Sequence, residues 1–301
     1  MNKLSMEIHK ILYESSLSVR TSKHKYMDIY DKLKPYLIQT LTKFLDSLKT
    51  TSRGRKRTIN LDRLLTCMFS IADNGFKMSY IKDYFHIPKS TYYYYFGILS
   101  KYNFFKTIYD DLILYYNKYN SIKYLITDTF TVKSMDGSNG LGRSCTDRGR
   151  NGLKVSLICD QNLVTHAVHH TPANIHDSKI LVPTIESSIT NLKNCYCLAD
   201  SGYAGSNYIS NILKNTGVKL LSKPKRTCNK NKMSHVVSPH DLQMINERRN
   251  HIERLNGNIR RFIGLMIKYT KKVDSYLTYL YVALVCITGY NITKLFFLQQ
   301  T

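Results

Sequence analysis

The chain is short of acid. Its 301 residues hold 21 Asp and Glu against 44 Lys and Arg, a formal net charge of +23. A surplus of that size repels itself unless an anionic partner is present, and a polyphosphate is the commonest such partner. Nucleic acid is therefore the first expectation, with a merely basic solvated surface as the alternative. The basic residues are spread from end to end and not gathered in one tail. No CxxC occurs among the seven cysteines (Cys67, Cys145, Cys159, Cys195, Cys197, Cys228, Cys286). Cys195 and Cys197 would share a strand face, but no second Cys or His pair at zinc spacing accompanies them, so reduced structural thiols in an intracellular protein are expected. The N-terminus lacks an apolar signal core, and there is neither an internal repeat nor a long low-complexity tract. The most apolar segment, LTYLYVALVCITGYNITKLFF, is interrupted by Thr, Gly, Asn and Lys, and reads as a buried helix and not as a membrane span. With 43% hydrophobic and 22% charged residues the chain is globular, one large domain or two of ordinary size.

The pattern divides the chain into residues 1–52, a helical extension of unclear role, residues 53–118, all-helical, and residues 119–301, mixed. The basic piece KTTSRGRKRT, with Arg55, Lys56 and Arg57, looks like an arm or linker. LDRLLTCMFSIADNG reads as an amphipathic helix from near Asn60 to Gly75. Ser79 can cap a short helix that HIPK breaks, and Ser90 can cap a second with Tyr92, Tyr95, Phe96 and Leu99 inward. That outline fits a helix-turn-helix presenting Lys89, Ser90, Thr91, Tyr93 and Tyr94 to DNA; the alternative is an ordinary helical hairpin. From Lys123 the texture alternates. KYLITDTF, KVSLICD and LVTHAVHH read as strands, NIHDSKILVPTIESSI as a helix capped by Asn174 or Asp177, and NCYCLAD as a strand. After them come a helix (SNYISNILKNTG), a strand (VKLLSK) and a long helix from about Pro239 to Phe262. This order describes an α/β domain with a mixed sheet.

Asp128 and Asp200 are read as ending apolar strands, where side chains from separate strands can meet. Glu253 sits at the edge of a helical apolar stripe (Leu242, Ile245, Ile252, Leu255, Ile259, Phe262), with Arg249 one turn before it and Gly257 one turn after. Three convergent carboxylates suit Mg²⁺ or Mn²⁺, hard cations that prefer oxygen ligands and leave positions open for phosphate. Singly, Asp128 and Asp200 read as turn residues and Glu253 as a partner of Arg249; in a chain this basic the three together favour a metal site. Arg143, Arg148, Arg150 and Lys154 read as a Gly-rich basic loop that could clamp DNA. Asp160 reads as a turn residue and His166, His169 and His170 as structural. With 24 tyrosines, no single one stands out as a nucleophile.

The stretches ITDTFTVKS, DRGRNGLKVSLICD, TPANIHDSKIL, LADSGYAG and RRNHIERLNGNIRRF together resemble the DDE transposases of bacterial insertion sequences. The upstream segment from Arg53 to Phe96 resembles the helical domain that precedes the catalytic domain in one group of them. Arg249 and Arg260 stand where that family places a basic residue before and after its third carboxylate. The resemblance spans roughly residues 53 to 297. The tryptophans frequent in the helical domain are absent, with Tyr and Phe in their place, and the first 50 residues match nothing in the family.

The resemblance implies a ribonuclease-H-like mixed β-sheet flanked by helices, preceded by a small all-α helix-turn-helix domain. It implies Asp128, Asp200 and Glu253 as metal ligands for Mg²⁺ or Mn²⁺, two ions in all, supported by Arg249 and Arg260. Arg254 and Arg261 would grip phosphates. The implied activity is metal-dependent strand cleavage at element ends followed by 3′-OH strand transfer into target DNA, without a covalent enzyme intermediate. The implied partners are double-stranded DNA, as terminal inverted repeats and as target, and a second copy of the chain on that DNA. No membrane is involved, and the location is intracellular, with the DNA. A catalytically silent, domesticated DNA-binding descendant and a structure-selective nuclease of the same fold remain the alternatives.

Overall fold

The computed structural model describes residues 10–13, 24–48, 58–135, 140–144, 149–225, 235–248, 250–268 and 270–300. Arg55, Lys56, Arg57, Arg148 and Arg249, with Cys145 and Cys228, lie outside the described residues. The chain forms two compact units. Residues 1–112, 261–265 and 273–301 make up the first, and residues 113–260 and 266–272 the second.

The first unit is helical. It contains α1 (Lys25–Ser47), α2 (Leu61–Asn74), α3 (Ile81–Phe85), α4 (Lys89–Lys101), the first half of α5 (Phe104–Tyr119) and the C-terminal α10 (Val273–Gln300). Helix α2 starts where Asn60 accepts the Arg63 N–H through its side chain, and it stops at Gly75, whose φ of 65° is left-handed. Position 264 must be glycine for a different reason: a Cβ there would sit 1.9 Å from the Ile71 carbonyl oxygen. Aromatic rings fill the space between these helices. Tyr30 stacks on Phe69 with centroids 4.3 Å apart, Phe96 stacks on Tyr279 at 4.9 Å, and the buried Tyr92 and Tyr279 hydroxyls lie 2.6 Å apart. Of the most apolar window in α10, 72% is buried inside the protein, the environment of a core helix. Sequence pattern alone groups this helix with the sheet; its packing partners are α1, α2 and α4.

Helices α3 and α4 are joined by His86, Ile87 and Pro88, with His86 in the left-handed region at φ 53°. The expected capping differs. Ser79 lies inside a 3-10 turn (Met78–Tyr80), and Ser90 is already helical because α4 begins at Lys89 behind Pro88. Proline's fixed φ organises that first turn without a side-chain cap.

The second unit is built on one mixed sheet. Its strands are β1 (Leu125–Ser134), β2 (Gly142–Arg143), β3 (Asn151–Asp160), β4 (Thr165–Pro172), β5 (Tyr196–Ala199), β6 (Lys219–Ser222) and β7 (Ile267–Lys268). β1, β3 and β4 form an antiparallel meander, while β5 and β6 run parallel to β1. One face is covered by α6 (Leu181–Glu186) and α7 (Ser206–Thr216), whose Leu181, Ile185 and Ile212 pack on Leu125, Ile158 and Cys197. On the other side, α8 (Pro239–Arg248) and α9 (Asn250–Arg260) bring Ile245 and Ile252 against Ile126 and Leu198. Full burial of each such aliphatic side chain stabilises the fold by about 1.5–3 kcal/mol.

Three expectations are corrected here. β1 does not end at Asp128 but runs on to Ser134, paired along its length with β3. The helix expected over 174–189 is a 3-10 turn (Asp177–Lys179) followed by the six-residue α6; His176, and neither Asn174 nor Asp177, caps it. The long helix expected to reach Phe262 is described as α8 and α9, ending at Arg260. All five described cysteines are unpaired, and burial pushes the Cys67 and Cys197 thiols up to about 12, which keeps them inert.

Asp160 has a larger role than a turn residue. It is fully buried, and its Oδ1 accepts the Asn162 and Val164 N–H groups at 2.9 and 3.0 Å. Its Oδ2 accepts the Tyr116 hydroxyl and lies 3.4 Å from His166 Nε2. Removing the carboxylate strands three donors, so Asp160→Ala is expected to lower stability by about 3–5 kcal/mol in urea unfolding. A loss below about 1 kcal/mol would show that this network carries no weight.

Candidate active site

β1 and β5 pair in parallel at Leu125 with Cys197 and at Ile126 with Leu198. Continuing that register sets Asp128 beside Asp200. The two aspartates line one small cleft, partly open to solvent, together with Ile126, Thr127, Leu198, Ala199, Ile245 and Ile252.

Each aspartate is held in place. Asp128 Oδ1 accepts the Thr129 backbone N–H at 2.8 Å, and Oδ2 accepts Asn256 Nδ2 at 2.9 Å. Asp200 follows β5 and caps the 3-10 turn Ser201–Tyr203 by accepting the Gly202 N–H at 2.7 Å. A Cβ at position 202 would lie 2.9 Å from Asp200 Oδ1, so glycine lets the turn close onto the carboxylate. Tyr203 is 1% exposed. Burial first, then the nearby Asp177, Asp128 and Asp200, push its phenol far above the usual range, so it stays a neutral hydroxyl.

Glu253 is exposed on α9, one turn before Asn256. Residues three apart on a helix are surface neighbours, so the bond from Asn256 to Asp128 brings the Glu253 face of α9 to the rim of the cleft. The start of α9 is anchored by His251 Nδ1, 3.2 Å from the Tyr124 hydroxyl, and Arg248 at the end of α8 lies 4.9 Å from the Tyr124 ring. Burial, then Arg254 and Arg248, lower the His251 pKa and keep the imidazole neutral.

Asp128 and Asp200 thus share one site. Their hard oxygen donors match the chemistry of a divalent cation such as Mg²⁺. Glu253 does not complete a cluster with them: among the described residues no three His, Cys, Asp or Glu side chains converge closely enough to hold a metal ion. Arg254, Arg260 and Arg261 are exposed, as are Arg143 and Arg150. Lys154 departs from the expected loop. It lies in β3, 15% exposed, with its ammonium 2.8 Å from Asp177 Oδ1 and 2.6 Å from the Ile175 carbonyl oxygen. That ammonium is engaged within the fold, and the expected loop placement of Lys154 is corrected to a strand. In the helical unit Lys89, Ser90, Tyr93 and Tyr94 are exposed, and Thr91 is half-buried.

Asn256 escaped the sequence reading. Its signal was present: an amide bordering the buried stripe Ile252, Leu255 and Ile259.

A meander leading into two parallel strands, with helices on both faces and carboxylates on adjacent strands, is the ribonuclease-H-like fold. The family model described as "Transposase DDE domain" matches residues 124–287, more than half of the chain, and the chain belongs to that family. A solved structure, the cryo-EM structure of piggyBac transposase synaptic complex with hairpin DNA, is similar with a TM-score of 0.54 and 8% sequence identity. The alignment covers 98% of this chain and 76% of that chain; at such identity the likeness speaks for the fold alone. No curated protein matches the sequence significantly.

The Asn256 contact is testable by a double-mutant cycle. A charge-assisted hydrogen bond is worth about 1.5–3 kcal/mol, so Asn256→Ala and Asp128→Ala are expected to couple by about that amount in unfolding free energy. Additive effects would contradict the contact.

Proposed function

We propose that the protein is a DNA transposase that cuts DNA strands at the ends of its element and joins the freed 3′-OH to target DNA. The observation that carries the reading is the pairing of Asp128 and Asp200 in one cleft, against which Asn256 docks the helix bearing Glu253. Family membership supports it.

In this reading Asp128 and Asp200, with Glu253, would hold Mg²⁺ or Mn²⁺, two ions in all. When bound, the metal supplies Lewis-acid charge that activates the attacking oxygen and stabilises the leaving one. The chain's own residues orient the ligands. The Thr129 N–H and Asn256 fix the two oxygens of Asp128, and Gly202 closes the turn that aims Asp200. Arg254, Arg260 and Arg261 would meet phosphate oxygens, and Arg249, outside the described residues, is assigned its supporting role for Glu253 from the sequence. Water attacks phosphorus, the P–O3′ bond breaks, and a 3′-OH is left. That hydroxyl then attacks a target phosphodiester and releases a target 3′-OH. One ester is exchanged for another, so no energy source is needed, and no protein side chain becomes covalently attached.

The helix pair α3–α4 is proposed as the helix-turn-helix that binds terminal repeats through Lys89, Ser90, Thr91, Tyr93 and Tyr94. Arg55, Lys56, Arg57, Arg148 and Arg150 add phosphate contacts. Two element ends must be held together, so a homodimer on DNA is part of the proposal, and the protein acts wherever that DNA resides.

The test is a cleavage assay on DNA carrying the gene's own flanks, with Mg²⁺ or Mn²⁺. Wild type is expected to cut at defined ends, while Asp128→Ala, Asp200→Ala and Glu253→Gln bind the same DNA without cutting it. Cutting by any of the three variants removes that residue from the site. Binding without cutting by wild type favours a silent, transposase-derived DNA-binding protein.

A further inference from the structure

A fourth carboxylate, Asp177, lies behind the strand that carries Asp128 and takes no part in the mechanism above. Side chains alternate along β1, so Asp128 faces α8 and α9 while Thr129 faces the side covered by α6 and α7. Asp177 opens the 3-10 turn on that side. Its Oδ1 accepts the Thr129 hydroxyl at 3.1 Å and the Lys154 ammonium at 2.8 Å. The Thr129 backbone N–H in turn holds Asp128 Oδ1 at 2.8 Å. Thr129 therefore joins the two through its own backbone, its hydroxyl on Asp177 and its N–H on Asp128.

The same aspartate also borders the Asp200 segment. The turn it opens packs against the 3-10 turn Ser201–Tyr203 that Asp200 caps. Tyr203, on that second turn, has a buried hydroxyl without a hydrogen-bond partner among the described residues, close enough to Asp177, Asp128 and Asp200 to feel all three charges. Helix capping does not account for Asp177, because His176 fills that position. Nor is this a solvated surface pair: the Lys154 side chain is 15% and the Asp177 side chain 32% exposed.

We propose that Asp177 is a positioning residue for the reaction, fixing the Asp128 segment through Thr129 and bordering the Asp200 turn, so that the two carboxylates keep their relative orientation. The proposal rests on the reading of this site as a metal-dependent DNA-cleaving centre. Groups that orient the ligands of a metal site matter because a carboxylate free to rotate loses its preferred donor geometry.

Truncating Asp177 would leave the Lys154 charge half-buried and unpaired, which alone can unfold a protein. Thr129→Val is the cleaner probe, since it removes only the hydroxyl and leaves the Lys154–Asp177 pair intact. In the full chain, Mn²⁺ affinity is read by calorimetry, and the single-turnover cleavage rate at saturating Mn²⁺ and DNA is read in parallel. Thr129→Val is expected to lower the rate by about 10–100-fold and to weaken Mn²⁺ binding alongside it, with DNA affinity and the urea midpoint unchanged. Thr129→Ser, which restores the hydroxyl, should recover both. Wild-type Mn²⁺ affinity and rate in Thr129→Val overturn the proposal, as does a Thr129→Ser variant no better than Val. A wild-type protein that neither binds Mn²⁺ nor cuts DNA overturns the reading of the site itself, and this inference with it.

Discussion

The parallel register between β1 and β5 determines where the acidic residues fall. With Leu125 set against Cys197 and Ile126 against Leu198, the strands have no freedom left at their ends, and Asp128 and Asp200 emerge side by side. A slip of one residue would turn every side chain of one strand to the opposite face and separate the carboxylates. The register is defended from both sides of the sheet, by Leu181, Ile185 and Ile212 on one and by Ile245 and Ile252 on the other. The apolar core beneath the site and the polar geometry within it are one structure.

The second constraint is polar. An apolar stripe can seat a helix on a sheet, but it tolerates rotation and sliding; a hydrogen bond at 2.9 Å between Asn256 and Asp128 does not. It selects one rotation of α9, the one that brings Glu253 to the cleft rim. The exposed arginines of that helix would then face an incoming phosphate backbone. The net charge of +23 has the same meaning at larger scale. A surface this basic would suit the proposed DNA partner and draw such a polyanion in at long range.

Much of this was legible in the residues. The strands around Asp128 and Asp200, the stripe beneath Glu253 and the core character of the last helix all arise from periodicity and composition. The extension of β1 was missed although TFTVKS alternates Thr with Phe and Val as a half-buried strand does. β2 and β7, two residues each, are too short to leave a pattern. Lys154 comes after a glycine-rich basic segment and so read as part of it, yet its partner Asp177 lies 23 residues away. Asn256 is the same lesson in the opposite sense, since an asparagine in a helix reads as surface until the residue it binds, 128 positions earlier, is known. Local chemistry shows which groups are available; only the tertiary fold shows how they are used.

The central claim is that Asp128, Asp200 and Glu253 serve one cation site, although only the two aspartates line the cleft. Iron-mediated cleavage of the polypeptide tests this directly. Fe²⁺ bound at the site, with ascorbate and peroxide, cuts the backbone near its ligands. The expected fragments end close to residues 128, 200 and 253 in the same protein with DNA bound, all suppressed by excess Mg²⁺. Cuts near 128 and 200 without any near 253 would contradict the claim and remove the helix glutamate from the site.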